Sequence, residues 1–113
     1  MTREKLLPQE LLEQIPPLYF NEGTPADETI IRAKYFIDIF TWLAAECETR
    51  GDDVLFYGYV VNAAEPHLSE WGYFTLKQLM EIRLRGGIGV ERDLSFKKCA
   101  FGEYMKREGA AYG

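Results

Sequence analysis

The strongest pattern in the chain is Asp53–Val61, where every position after the aspartate is apolar, aromatic or glycine. Val54, Phe56, Gly58 and Val60 alternate with Leu55, Tyr57, Tyr59 and Val61. This period of two in β-branched and aromatic residues predicts a strand. Both alternating sets are apolar, so the strand is expected to be central with each face covered. Gly58 interrupts it, which predicts a bulge or a close backbone approach. Upstream, Thr29–Ile37 and Thr41–Glu48 read as two further strands, linked by Asp38-Ile39-Phe40. The turn Thr49-Arg50-Gly51-Asp52 leads into the central run. Connections this short favour antiparallel neighbours, because a parallel pair needs a crossover of about a dozen residues. Trp71–Phe74 and Val90–Phe96 supply a fourth and a fifth strand.

Helical spacing occurs in three places. From Pro8 to Ile15, a proline suited to a first helical position precedes Leu11, Leu12 and Ile15 on one face. Pro16-Pro17 ends that segment. Leu18-Tyr19-Phe20 reads as an extended apolar piece that packs on the body, and Asn21–Pro25 as a turn. A second helix starts at Thr75, with Gln78 at capping-box spacing and Leu76, Leu79 and Met80 on one face. Gly86-Gly87 reads as its C-terminal cap. Phe101–Glu108 is the third. The pattern predicts an α+β fold: a single curved, mainly antiparallel sheet of about five strands with one or two helices packed on it.

Composition agrees with one globular domain spanning residues 1–113, with 47% hydrophobic and 27% charged residues. No run of about 18 apolar residues is present to span a bilayer, and the first residues do not read as a secretory signal. Cys47 and Cys99 form no CxxC, and His67 is the only histidine. A disulfide scaffold or a zinc site is not expected, and the cytoplasm fits. Charge is uneven. Residues 1–76 hold 5 basic and 13 acidic side chains, and residues 77–113 hold 8 basic and 5 acidic, giving −8 and +3 and the net −5. An acidic balance does not favour nucleic acid, although Arg83, Arg85, Arg92, Lys97, Lys98, Lys106 and Arg107 make the last third basic.

Few residues suggest chemistry. Gly86-Gly87-Ile88-Gly89 follows a helix and precedes a strand, the reverse of a phosphate loop, and reads as a turn. His67 falls in a polar loop, with Ser69 near but in no specific geometry. Cys47 is expected to project with Leu43 and Ala45 into the core as a structural thiol. Cys99 follows Lys97-Lys98, whose charge alone does not make it a nucleophile. Glu91-Arg92-Asp93 is the densest polar cluster on a predicted strand. Arg92 shares its side with Val90 and Leu94 and needs a charged partner, for which Glu46, Asp53 and Glu70 are candidates. The structural reading is an ion-pair network pinning the sheet; the functional one is a carboxylate set binding a divalent metal. Tyr19, Tyr35, Trp42, Tyr57, Tyr59, Trp71 and Tyr73 either pack the core or anchor a partner.

Pro16-Pro17-Leu18-Tyr19, Ala33-Lys34-Tyr35-Phe36, Thr41-Trp42 with Glu46, and Leu55-Phe56-Tyr57-Gly58 form a recurring series. It continues through Glu70-Trp71-Gly72-Tyr73-Phe74-Thr75-Leu76 and Val90-Glu91-Arg92-Asp93-Leu94-Ser95-Phe96. Over roughly residues 11–97 the chain resembles a small bacterial family, domain of unknown function 2958. Trp71 stands where that family usually has a small aliphatic residue, and the Asn62–Glu70 loop is longer than usual. The resemblance implies an accessory protein of plasmids and other mobile elements, and it carries over no catalytic residue, metal or cofactor.

Two functions from different classes follow. The first is a non-catalytic binding module that acts in counter-defence or regulation through a protein partner. Its binding candidates are Tyr35, Trp42, Glu46, Glu70, Tyr73, Glu91, Arg92 and Asp93. The second is a small metal-dependent nucleic-acid-processing enzyme, which needs Glu91, Asp93 and another carboxylate to converge.

Overall fold

A computed structural model describes residues 3–112, with only the backbone described for residues 109–112. Two short helices, α1 (Arg3–Leu6) and α2 (Gln9–Gln14), precede a loop that runs to residue 29. The strands are β1 (Ile30–Ile31), β2 (Ala33–Ile37), β3 (Phe40–Arg50), β4 (Asp53–Asn62), β5 (Glu70–Thr75), β6 (Glu91–Arg92) and β7 (Cys99–Ala100). Helix α3 (Leu76–Glu81) follows β5, and α4 (Phe101–Tyr112) follows β7. Five strands form an open antiparallel sheet in the order β5-β4-β3-β2-β6, and β1 pairs with β7 in a separate two-stranded ribbon. The fold is α+β, as the alternation and short turns predict, and Asp53–Asn62 is central.

Each face of the sheet has its own core. On face one, Tyr35, Trp42, Val54, Phe56 and Phe74 pack with Leu6, Ile15, Leu76 and Leu79 from the helical segments. On face two, Leu43, Ala45 and Val61 pack with Ile31, Phe101 and Tyr104. The double covering explains why both alternating sets of β4 are apolar. Thr75 caps α3 with the reciprocal bonds its sequence implies: its hydroxyl accepts from Gln78 N, and Gln78 Oε1 accepts from Thr75 N.

Several boundaries differ from the pattern. Pro8 is the residue before α2, not its first helical residue. Thr29–Ile37 is not one strand. Its backbone parts at Arg32, so that Ile30–Ile31 joins β7 while Ala33–Ile37 pairs with β3. The fifth strand shortens to Glu91–Arg92, because the Asp93 carboxylate accepts from both Ser95 N and Ser95 Oγ and turns the chain. Gly86 and Gly87 do not cap α3, which has ended at Glu81. They sit at φ +87° and +82° in a tight turn that Leu84 N to Ile88 O closes. Leu18 is buried as expected, but Tyr19 and Phe20 turn outward to solvent.

Tyr35 is wholly buried, and its hydroxyl has no hydrogen-bond partner among the described residues. Burial pushes its ionisation far above the ordinary tyrosine range, against an opposing pull from Arg92. Tyr35→Phe keeps the ring contact with Phe56 and deletes the orphaned group. Urea unfolding is expected to show stability unchanged or raised by about 1 kcal/mol; a clear loss would mean that the hydroxyl has a partner.

Candidate functional site

The site begins with an irregularity in β3. Along β3 and β4 the register pairs Ala44 with Gly58 and then Glu46 with Tyr57, leaving Ala45 as an extra residue. A bulge of this kind shifts every later side chain to the opposite face. Without it Glu46 would follow Trp42 and Ala44 into the apolar core of face one. With it, Glu46 lies beside Tyr57 on face two, and Cys47 enters face one beside Phe56. Cys47 is therefore buried as expected, but not on the side of Leu43 and Ala45. Burial pushes its thiol up to about 11, which keeps it protonated at neutral pH.

Gly58 makes the bulge possible. A β-carbon there would lie 2.0 Å from the Leu43 carbonyl oxygen, so both readings of this glycine, bulge and close approach, describe one feature.

Glu46 is only 4% exposed, and its charge is met by the loop before β1. Oε1 accepts from the Tyr19 amide at 2.8 Å. Oε2 accepts from the Asn21 amide at 2.9 Å and from Asn21 Nδ2 at 2.8 Å. Tyr19 occupies the left-handed region at φ 71°, the turn that brings these amides together and throws its own ring outward, 66% exposed. Pro16 O accepts from Cys47 N at 2.9 Å, so the loop runs along β3 where β2 no longer covers it. Further on, Gly102 at the start of α4 lies against Asp27, where a β-carbon would come within 2.9 Å of the Asp27 side chain.

Between this loop and the sheet lies a depression of about 300 Å³. Tyr19, Asn21, Glu22 and Thr24 form one wall, and Glu46, Tyr57, Trp71 and Tyr73 form the floor and the other wall. Tyr57 stacks on Trp71 with centroids 5.8 Å apart and meets Tyr73 at 5.1 Å. Trp71 also packs against Tyr59 and Phe101, which fixes its ring from behind. Desolvation raises the Tyr73 phenol above its ordinary value, helped by a hydrogen bond with Tyr19. Among the described residues, no lysine, arginine or histidine lines the depression.

Of the binding candidates read from sequence, the structure brings Glu46 and Tyr73 together here. Tyr35 and Trp42 are buried in face one, and Glu70 is exposed at the start of β5. The Glu91-Arg92-Asp93 cluster lies at the other edge of the sheet. Arg92 does not pair with Glu46, Asp53 or Glu70; its Nε donates to the Lys5 carbonyl at 3.1 Å, because the bulge has carried Glu46 to the opposite face. Asp53 instead accepts from the amides of Val54 and Lys77. Leu94 is 79% exposed and shares no core with Val90. The ion pair at this edge is Lys34 to Asp93, at 3.7 Å.

Burial alone would raise Asp93, but the bonds from Ser95 and the charge of Lys34 prevail and hold its carboxyl below the usual 3.8. A carboxyl lowered on folding stabilises above its unfolded value and loses that contribution as pH falls through its folded value. Asp93→Asn is therefore expected to be less stable than the native chain at pH 7 and to converge with it as the pH falls through the lowered folded value. Urea titrations at several pH values measure this, and a gap that persists in acid would contradict it.

Tyr57 and Trp71 belong to the depression yet are absent from the eight candidates. Their signal was the shared parity of Tyr57 with Tyr59 and of Trp71 with Tyr73, which puts four rings on one face.

A family model for proteins of unknown function, DUF2958, matches residues 19–110. The chain belongs to this family. The match starts at the loop that holds Glu46 and extends through most of α4, so both walls of the depression and the helix behind it fall within the family region. It begins later and ends later than the 11–97 span of the motif resemblance. No curated protein and no solved structure matches the chain. Among the described residues, no helix is long and apolar enough to cross a membrane.

Proposed function

We propose that this member of the family is a non-catalytic binding module that holds a basic side chain of a protein partner in the aromatic depression. The observation that carries this reading is the buried Glu46 carboxylate set among Tyr19, Tyr57, Trp71 and Tyr73, with no lysine, arginine or histidine among the described residues lining the depression. Aromatic faces attract ammonium and guanidinium groups, each favourable ring contributing about 0.5–2 kcal/mol as the site dries. Glu46 adds a full charge that the protein has already desolvated and anchored, so a cation meets it with little reorganisation. Exposed Tyr19 and Tyr73 at the rim suit anchor residues of a protein interface. The acidic first two-thirds of the chain supports attraction of a basic surface over distance. A role as an accessory factor of bacterial mobile elements, in counter-defence or regulation, fits a small module of this type.

The metal-dependent alternative draws no support from the carboxylates. Glu91 is exposed, Asp93 is held by Lys34 and Ser95, and Glu46 lies on the other side of the bulge. Among the described residues, no three His, Cys, Asp or Glu side chains come together as a metal-binding group.

The test is a titration with short arginine- or lysine-containing peptides, followed by ¹H–¹⁵N spectra. The Tyr19 and Asn21 amides and the Trp71 indole are expected to shift saturably. Tyr73→Ala is expected to weaken binding by about tenfold, the equivalent of one cation–π contact at a partly dried site. Shifts with acidic peptides of equal size, or none with basic ones at millimolar concentration, would refute the reading.

A further inference from the structure

A second cavity, which shares no lining residue with the aromatic depression, lies at the seam between the two cores. It has a volume of about 410 Å³ and is lined by Leu11 and Gln14 of α2, Arg32 between β1 and β2, and Phe96 and Lys98 before β7. Leu11 packs against the face-one core and Phe96 against the face-two core, so both walls are anchored. Arg32 is pinned through its backbone, its amide donating to the Ala44 carbonyl at 2.8 Å.

Arg32 is the unusual member. Its Nε is buried and has no hydrogen-bond partner, and no ion pair among the described residues includes it. Arg32 as a whole is half-buried, but a buried N–H donor such as its Nε is almost always matched by an acceptor, because leaving it unmatched is costly. Lys98 brings a second positive charge to the same cavity, Gln14 brings an amide, and among the described residues no acidic side chain lines it. The other walls are apolar.

We propose that this cavity is a binding site for a small organic carboxylate with an apolar body. The carboxylate lies on Arg32, whose planar fork matches two oxygens at once, with Lys98 and Gln14 beside it at the exposed mouth. The apolar body lies between Leu11 and Phe96. A phosphate would use the cations but leave those walls without a partner, so the lining favours a carboxylate over an inorganic anion. The site is independent of the aromatic depression, which offers the opposite charge.

Benzoate and inorganic phosphate serve as probes on the full chain at constant ionic strength, with arginine Nε–Hε signals recorded by NMR. Benzoate is expected to shift the Arg32 Nε–Hε signal saturably in the millimolar range, and phosphate at least several-fold more weakly. Arg32→Gln is expected to abolish the shift of neighbouring amides. Lys98→Gln, at an exposed position that leaves the fold intact, is expected to weaken benzoate by about threefold to tenfold, as loss of one charge-assisted contact implies. An Arg32 signal unmoved by benzoate would overturn the proposal, as would phosphate binding equal to or tighter than benzoate. Benzoate affinity unchanged in Lys98→Gln would overturn the part given to that lysine.

Discussion

Gly58→Ala is expected to destabilise the protein by about 3 kcal/mol, the largest loss from any single methyl group added to the sheet. The new β-carbon would sit 2.0 Å from the Leu43 carbonyl oxygen and 3.0 Å from the Ala44 α-carbon, both backbone atoms that no side-chain rotation can clear. Alanine elsewhere in a strand interior is mildly better than glycine, so the sign here is set by the collision alone. Relief requires β3 and β4 to separate at the bulge, where the turn of Glu46 toward face two is made. The variant is therefore expected to lose stability and the Glu46 anchor together. Urea unfolding reads the first, and exchange of the Tyr19 and Asn21 amides reads the second. A variant as stable as the native chain would show that the strands tolerate a wider spacing at this point.

The second large effect is expected at Glu46. Glu46→Ala leaves the Tyr19 and Asn21 amides without their acceptor and opens space under the loop, for a loss of about 3 kcal/mol. Glu46→Gln returns one acceptor oxygen but sets an N–H₂ against a donor, so about half of the loss is expected to remain. Because the loop has few other ties to β3, its amides should exchange faster in both variants while those of β4 stay protected. The pair of variants separates charge from shape. If Gln restores full stability, hydrogen bonding without charge is enough to hold the loop. If loop protection is unchanged in Glu46→Ala, the carboxylate is not its anchor.

The large elements of this fold were legible because their causes are local. Alternation over Asp53–Val61 reports a strand, doubly apolar alternation reports that it is central, and a threonine three residues before a glutamine reports a helix start. Gly58 signalled a bulge or a close approach, but which residue of the facing strand was the extra one was not legible. In Leu43-Ala44-Ala45-Glu46-Cys47 a strict period of two is as consistent with the residues as an extra alanine, and only the close packing of Gly58 against Leu43 decides between them. Two errors about the site descend from that one residue: the face of Cys47 and the expected pairing of Glu46 with Arg92. The break at Arg32 was hidden for a related reason. Ile30, Ile31 and Tyr35 all have strand propensity, and propensity carries no information about which partner each takes. At Asp93-Leu94-Ser95 a side chain captured the backbone of its own chain, and local turn chemistry overrode an apolar run.

The β1–β7 ribbon has a bearing on the order in which the molecule assembles. Residues 30 and 31 are made well before their partners at 99 and 100. The four consecutive antiparallel strands β2 to β5 pair with near neighbours and close quickly. Until Phe101 and Tyr104 arrive, Ile31, Leu43 and Val61 have nothing to lie against on one side of a finished sheet. The nascent chain thus passes through a stage with one greasy surface uncovered, and α4 serves as the cover that ends its tendency to aggregate.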